Sequence, residues 1–357
     1  MKQVSLALVL MLFSIGMFAT QTATAPFGPQ GPAPQGPTAP TPAVPTEGQP
    51  PARAGGGGRG GRGAARVPFI PDAPILSYAA VENPLPLPAG SMYAAVASVA
   101  VNSKGHVFVY HRVPVPLVEF DERGTFVRAF GQQASTRPHS VRIDTADNIW
   151  LVDSADHTVV KLNSQGEVLM TLGTKGVVGS GDAAAAAQQF NIPSDVAIAP
   201  NGDIFISQGE AGGPDPRVIR FTRDGKFITT WSLAFKEGTR SNPHAIEVDR
   251  QGLIYVADRE VMRIRVFQPD GTPVRDIQMQ NPVCGLFFDK SGQMWIATGA
   301  DGQMMHVDPA GKVLGYAGKR GTGLGEMSEA HMLAVAPNGD VYVADSVGRK
   351  VEKFVKK

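Results

Sequence analysis

A chain of 357 residues with 43% hydrophobic content is long enough to bury a large core, and nothing in it demands more than one folded domain. Its 33 basic and 32 acidic residues leave a formal net charge of +1, which excludes a global field that would gather nucleic acid or an anionic membrane. The one cysteine, Cys284, excludes an intramolecular disulfide, and its place in the apolar run VCGLFF suggests a small buried side chain.

In chain order, Lys2, the apolar run from Val4 to Phe18, and the small residues Ala19, Thr20, Ala23, Thr24 and Ala25 predict an export signal over 1–25. The run is short for a membrane span, so a secreted or periplasmic protein without a stable span is expected, with an uncleaved anchor as the alternative. No cysteine near residue 20 offers a lipid attachment point. Residues 26–72 are dense in proline, glycine and alanine and predict a disordered linker, because such a composition cannot build a packed core. Within it, GGGGRGGRG (55–63) resembles an RNA-binding element but lacks interleaved aromatics, and an exported chain meets little RNA. It is read as spacer with no nucleic-acid partner; contact with an anionic cell-surface polymer is a minor alternative.

From residue 73 to 357 a unit recurs. Its second strand reads HVFVYHR, IWLVDS, IFISQG, IYVADR, MWIATG and VYVADS, with an aromatic in one register: Phe108, Trp150, Phe205, Tyr255, Trp295 and Tyr342. A turn pair precedes each: Lys104-Gly105, Asp147-Asn148, Asn201-Gly202, Gln251-Gly252, Ser291-Gly292 and Asn338-Gly339. The glycine, or Asn148, is expected to supply the positive φ of a two-residue hairpin turn. Four-stranded units roughly 40–54 residues apart predict an all-β fold, a six-bladed β-propeller, because a lone blade cannot bury both faces. The sixth unit lacks a fourth strand, and the apolar segment Pro74–Val81 is expected to supply it and close the ring. The aromatic column is read as packing between blades.

The motif opening each inner strand carries His139, His244 and His331 in alternate units, with Ala97, Ser194 and Val283 read at the matching places of the others. Seven histidines in 357 residues would fill three of six equivalent slots by scatter on the order of once in ten thousand trials. Alternate blades of six stand a third of a turn apart, so the three imidazoles should converge on the axis. Three nitrogen ligands with an open position are the usual makeup of catalytic zinc. The alternative is three histidines that merely hydrogen-bond across a polar channel.

Second strands return to the histidine face, which places Arg112 and Arg259 at the mouth, suited to a carboxylate or, equally, to surface ion pairs. Asp153, Asp258 and Asp345 recur so regularly that they are read as stabilising turns.

The strings RPHSVRIDTADNIWLVDSADHTVVKL, NPHAIEVDRQGLIYVADRE and AHMLAVAPNGDVYVAD resemble the NHL-repeat propeller of the peptidyl-α-hydroxyglycine α-amidating lyases over most of residues 95–355. The resemblance implies cleavage of the N–Cα bond of a peptidyl-α-hydroxyglycine to an amidated peptide and glyoxylate. It implies zinc held by His139, His244 and His331, and active-site roles for Arg112 and Arg259. The chain departs from the family pattern at three places. Glu210 stands where the family has its catalytic tyrosine, Met332 where it has a ligand of a structural calcium, and Glu329 where it has a methionine. Met332 argues against calcium. Glu210 is either a replacement base or a solvated loop residue.

The leading expectation is therefore an exported metal-dependent lyase acting on a small-molecule or peptide α-hydroxy amide. The alternatives are a non-catalytic propeller that binds a small ligand and an NHL scaffold for a protein partner. The linker reading yields a first prediction: deleting residues 26–66 leaves the melting temperature of the propeller unchanged, and a cooperative loss of structure on deletion contradicts it.

Overall fold

A computed structural model describes residues 68–179, 189–234 and 240–357. The expected signal segment and nearly all of the linker lie outside the described residues. Among the described residues six four-stranded antiparallel sheets follow one another, with almost no helix. Their inner strands are Val96–Val101, Pro138–Ile143, Pro193–Ile198, Pro243–Val248, Gly285–Phe288 and Ala330–Val335, defining blades one to six. Each inner strand packs against the next, and the last against the first, so the six-bladed ring is closed. Among the described residues no helix is long and apolar enough to cross a membrane.

Closure uses the segment the sequence pointed to, divided between two blades. Tyr78–Val81 pairs antiparallel with Lys350–Lys356 as the outer strand of blade six. The residues before it bridge instead to blade five: Leu76 N–H donates to Tyr316 O at 2.8 Å, and Tyr316 N–H donates to Pro74 O at 3.1 Å. Tyr78 joins the two blades, since its ring meets Trp295 edge-on at 6.1 Å and its hydroxyl donates to Gly339 O at 3.1 Å.

The aromatic column packs between blades as expected. Phe108, Trp150, Phe205, Tyr255, Trp295 and Tyr342 each belong to a buried cluster shared with the following blade, the last of them with blade one. Burial of an aromatic side chain contributes on the order of 1.5–3 kcal/mol, so the column is a main source of cohesion between blades.

The turns differ from expectation. In the first, Gly105 N–H donates to Asn102 O and Asn102 N–H to His106 O, a three-residue loop with its third residue left-handed. In the second unit that residue is Asp147 (φ 59), not Asn148. The residue before the loop caps it: Asp144 Oδ1 accepts from the N–H groups of Ala146 and Asn148, and Asp249 and Asp289 act likewise.

Closing contacts of this kind predict an asymmetry within one segment. Tyr78→Ala should cost about 2 kcal/mol in urea unfolding because it opens an interblade contact, whereas Ile75→Ala should stay within about 0.5 kcal/mol, since Ile75 is 75% exposed.

Candidate metal centre and its surroundings

The inner strands carry a local irregularity that builds the centre. Register shifts between Val96 and Ser98, Pro138 and Ser140, Pro193 and Asp195, and Pro243 and Ala245 leave one residue out of the ladder at each site, and the shift between Ala330 and Leu333 leaves two. Those residues include Ala97, His139, Ser194, His244 and His331. A bulge turns a side chain out of the ladder and frees its backbone from pairing. In blade five the matching residue is Cys284, not Val283, because Gly285 pairs with Ala297 as Ala245 pairs with Ala257.

The freed carbonyls orient the imidazoles. His139 Nδ1 lies 2.6 Å from Ser194 O, His244 Nδ1 2.7 Å from Cys284 O, and His331 Nδ1 2.5 Å from Ala97 O. A carbonyl can only accept, so each Nδ1 carries the proton and each Nε2 presents its lone pair. The ring centroids stand 4.7–5.1 Å apart, and one ligand atom from each ring falls within 4.8 Å of the others. All three residues are buried, and Nε2 of His139 and of His244 is buried without a hydrogen-bond partner among the described residues. Burial, the largest cause, pulls His139 and His331 down to about 3 and His244 well below its ordinary value, so the rings are neutral at pH 7.

An orphaned buried acceptor costs about 1–3 kcal/mol, and convergent orphans with fixed tautomers fit a divalent transition metal. Hydrogen bonding across the channel leaves these Nε2 atoms without donors and accounts for the arrangement less well. Met332, where the resemblance places a calcium ligand, is buried in an apolar cluster and offers no oxygen.

Glu210 is not a solvated loop residue. It is 4% exposed, with Oε1 3.9 Å from His139 Nε2 and Oε2 3.2 Å from Arg137 Nη2. Gly209 aims it there: its φ of 96° and the approach of Pro216, whose Cα would lie 2.6 Å from any Cβ, admit only glycine. Ala211, also left-handed, donates its N–H to Asn242 Oδ1 at 3.1 Å, and Asn242 Nδ2 donates to Glu260 Oε1.

Arg112 and Arg259 differ in their partners. Arg259 pairs with Glu260 at 3.0 Å, the surface ion pair that was one of its two readings, and the same guanidinium acts on the buried Cys284 thiol. Burial nevertheless pushes that thiol up to about 12. The Arg112 guanidinium has a single hydrogen-bond partner among the described residues, Pro138 O, 3.3 Å from its Nε. Partial burial, and after it the like charge of Arg137, pulls the Arg112 guanidinium down. Asp153, Asp258 and Asp345 accept backbone N–H groups of Arg137, Asn242 and Glu329, pinning the loops that enter the three histidine strands.

Sequence reasoning missed Arg137 and Asn242, although each stands within two residues of a histidine in the quoted strings. It also missed a charged group further along the same strands. Arg142 donates to Asp195 and, at 2.8 Å, to Glu247, tying blades two, three and four; burial pushes Glu247 up to about 7 against the pull of Arg142. No spacing rule marks this group, because its members come from three repeats.

The NHL-repeat family model matches residues 241–267. NHL repeat-containing protein 3 of Homo sapiens is 30% identical over 281 residues, covering 72% of this chain and 78% of the relative. The chain belongs to the NHL-repeat family. A probable peptidyl-α-hydroxyglycine α-amidating lyase of Caenorhabditis elegans is 25% identical over 293 residues, 70% of this NHL chain and 79% of the relative. Peptidyl-α-hydroxyglycine α-amidating lyase 1 of Drosophila melanogaster is 26% identical over 317 residues, 73% and 57%. Among solved structures, a streptogramin B lyase superposes with a TM-score of 0.56 at 12% identity, covering 75% of this chain and 95% of that one, a likeness of fold.

The centre predicts its own stoichiometry. Purified protein should carry about one divalent transition metal per chain, and His244→Ala should reduce that content at least tenfold with the far-UV spectrum unchanged, as read by elemental analysis beside circular dichroism.

Proposed function

We propose that this NHL propeller is an exported metal-dependent carbon–nitrogen lyase of the amidating-lyase type, acting on an α-hydroxy amide that bears a carboxylate. One observation carries the reading: three buried imidazoles with fixed tautomers converge beside a buried carboxylate, Glu210. The 25% and 26% identity to the two amidating lyases supports it. His139, His244 and His331 would hold the metal. A divalent metal held there, most simply zinc, would supply Lewis-acid polarisation of the substrate oxygen.

The residues of the chain do the rest. Arg112 and Arg259 hold the substrate carboxylate, and Glu210 accepts the hydroxyl proton. The pair of electrons from the O–H bond forms the second carbon–oxygen bond of the released aldehyde acid, and the carbon–nitrogen bond breaks with its pair going to nitrogen. Nitrogen then takes the proton from the Glu210 carboxyl. The sum moves one proton from oxygen to nitrogen and needs no co-reactant.

A second reading, a propeller that binds a small ligand or a protein partner without turnover, rests on the glutamate that stands in place of the family's tyrosine. One variant separates the two. Glu210→Gln should lower kcat on an N-acyl-α-hydroxyglycine by about 10²-fold or more at wild-type metal content, because an amide of the same shape cannot accept the proton. Arg112→Ala should mainly raise KM if it only anchors the carboxylate, and should lower kcat too if it stabilises developing charge. A metal-loaded wild type that releases no glyoxylate from such substrates overturns the lyase reading in favour of the binding propeller.

A further inference from the structure

We propose that Arg112 and Arg137 form a carboxylate subsite whose resting occupant is the protein's own Glu210, which an incoming small carboxylate displaces. The inference rests on the reading of this face as a ligand site, names the group that a ligand must carry, and adds Arg137 to Arg112 as its first contacts, because Arg259 is already paired with Glu260.

The two guanidiniums come from adjacent blades and meet at the backbone: Arg137 directly precedes Pro138, whose carbonyl takes the Arg112 Nε–H. Arg112 has no carboxylate within ion-pair distance among the described residues, and Arg137 has one, Glu210. That contact is close without being aligned. Glu210 Oε2 lies 3.2 Å from Arg137 Nη2, yet it is a buried oxygen with no partner in hydrogen-bond geometry.

Two guanidinium forks therefore have one poorly seated carboxylate within ion-pair distance, with Glu329 and Asp153 acting on Arg112 only from further away. A fork prefers two parallel, aligned bonds to a carboxylate, which Glu210 does not make here. A free carboxylate can make them by approaching from solvent, because the Arg137 side chain is 39% exposed and Arg112 reaches the surface. Its position also fits the centre. Glu210 spans from Arg137 to within 3.9 Å of His139 Nε2, so a ligand seated on Arg137 in its place lies beside the three imidazoles. Once displaced, Glu210 no longer shares its charge with Arg137 and is left facing the histidines. The ligand class is thus a short carboxylate with a polar group on the adjacent carbon. Ligand binding and freeing of Glu210 become one event.

The test is calorimetric titration of the zinc-loaded full chain with glycolate, with neutral glycolamide as control and metal content measured in every sample. Wild type should bind glycolate and not glycolamide. Arg112→Ala and Arg137→Ala should each weaken glycolate about tenfold, the scale of one charge-assisted contact. Glu210→Gln should tighten it roughly three- to tenfold, because the internal competitor is gone. A merely structural Glu210 would not produce that gain. Unchanged or weaker glycolate binding in Glu210→Gln overturns the proposal, as does wild-type affinity in a folded Arg137→Ala. Should Arg137→Ala fail to fold, Glu210→Gln decides alone. Because no turnover is measured, glycolate binding that follows this pattern in a protein without lyase activity supports the subsite while removing the lyase reading.

Discussion

The centre depends on one interaction made three times: an imidazole of one blade donates its Nδ1 proton to the bulged carbonyl of the next. The donor residue is a histidine in blades two, four and six, and the acceptor belongs to Ser194, Cys284 or Ala97 in blades three, five and one. Small side chains at the acceptor positions leave the axis open for the imidazoles. Each ligand is therefore fixed by the interface between blades and not by its own blade. Loosening any interface would free a ring to rotate and exchange tautomers, and the convergence of the Nε2 atoms would be lost.

That dependence explains the weight the fold places on closure. The aromatic column supplies cohesion around the ring, and the segment from Pro74 to Val81 fastens the last two blades at their outer edges. His331 lies in the blade so fastened, and its acceptor Ala97 lies across the seam in blade one. The closing strand and the third ligand are thus parts of one mechanical unit, although they sit at opposite edges of the same sheet.

Charge is distributed around the centre with similar economy. Burial keeps the histidines neutral, and the full charges around them are Arg112, Arg137 and Arg259 on one side of the balance and Asp195, Glu329 and Glu210 on the other. Asn242 couples these groups by bonding both the Glu210 turn and Glu260, the partner of Arg259. The Glu210 turn of blade three is therefore joined to the Arg259–Glu260 pair of blade four by a path outside the centre.

The fold and the three histidines were legible in the chain because both are periodic. A turn, an aromatic and a histidine slot recur at matching positions, and six-fold symmetry converts equal sequence positions into equal distances from the axis. The same logic located Arg112 and Arg259 at one face and gave Asp153, Asp258 and Asp345 their turn-stabilising role. What the repeat could not reveal is whatever breaks it. The extra residue that puts Cys284 in the slot of Val283, the shift of positive φ to Asp147, and the division of Pro74–Val81 between two blades all depend on register, which pairing across strands decides. Arg137, Asn242 and the Arg142–Asp195–Glu247 group gain their partners from other blades, and the burial of Glu210 follows from a turn that only Gly209 permits. Composition and spacing determined which residues share a radius; only the packed ring decided which of them touch, because contacts between blades join residues that no periodicity relates.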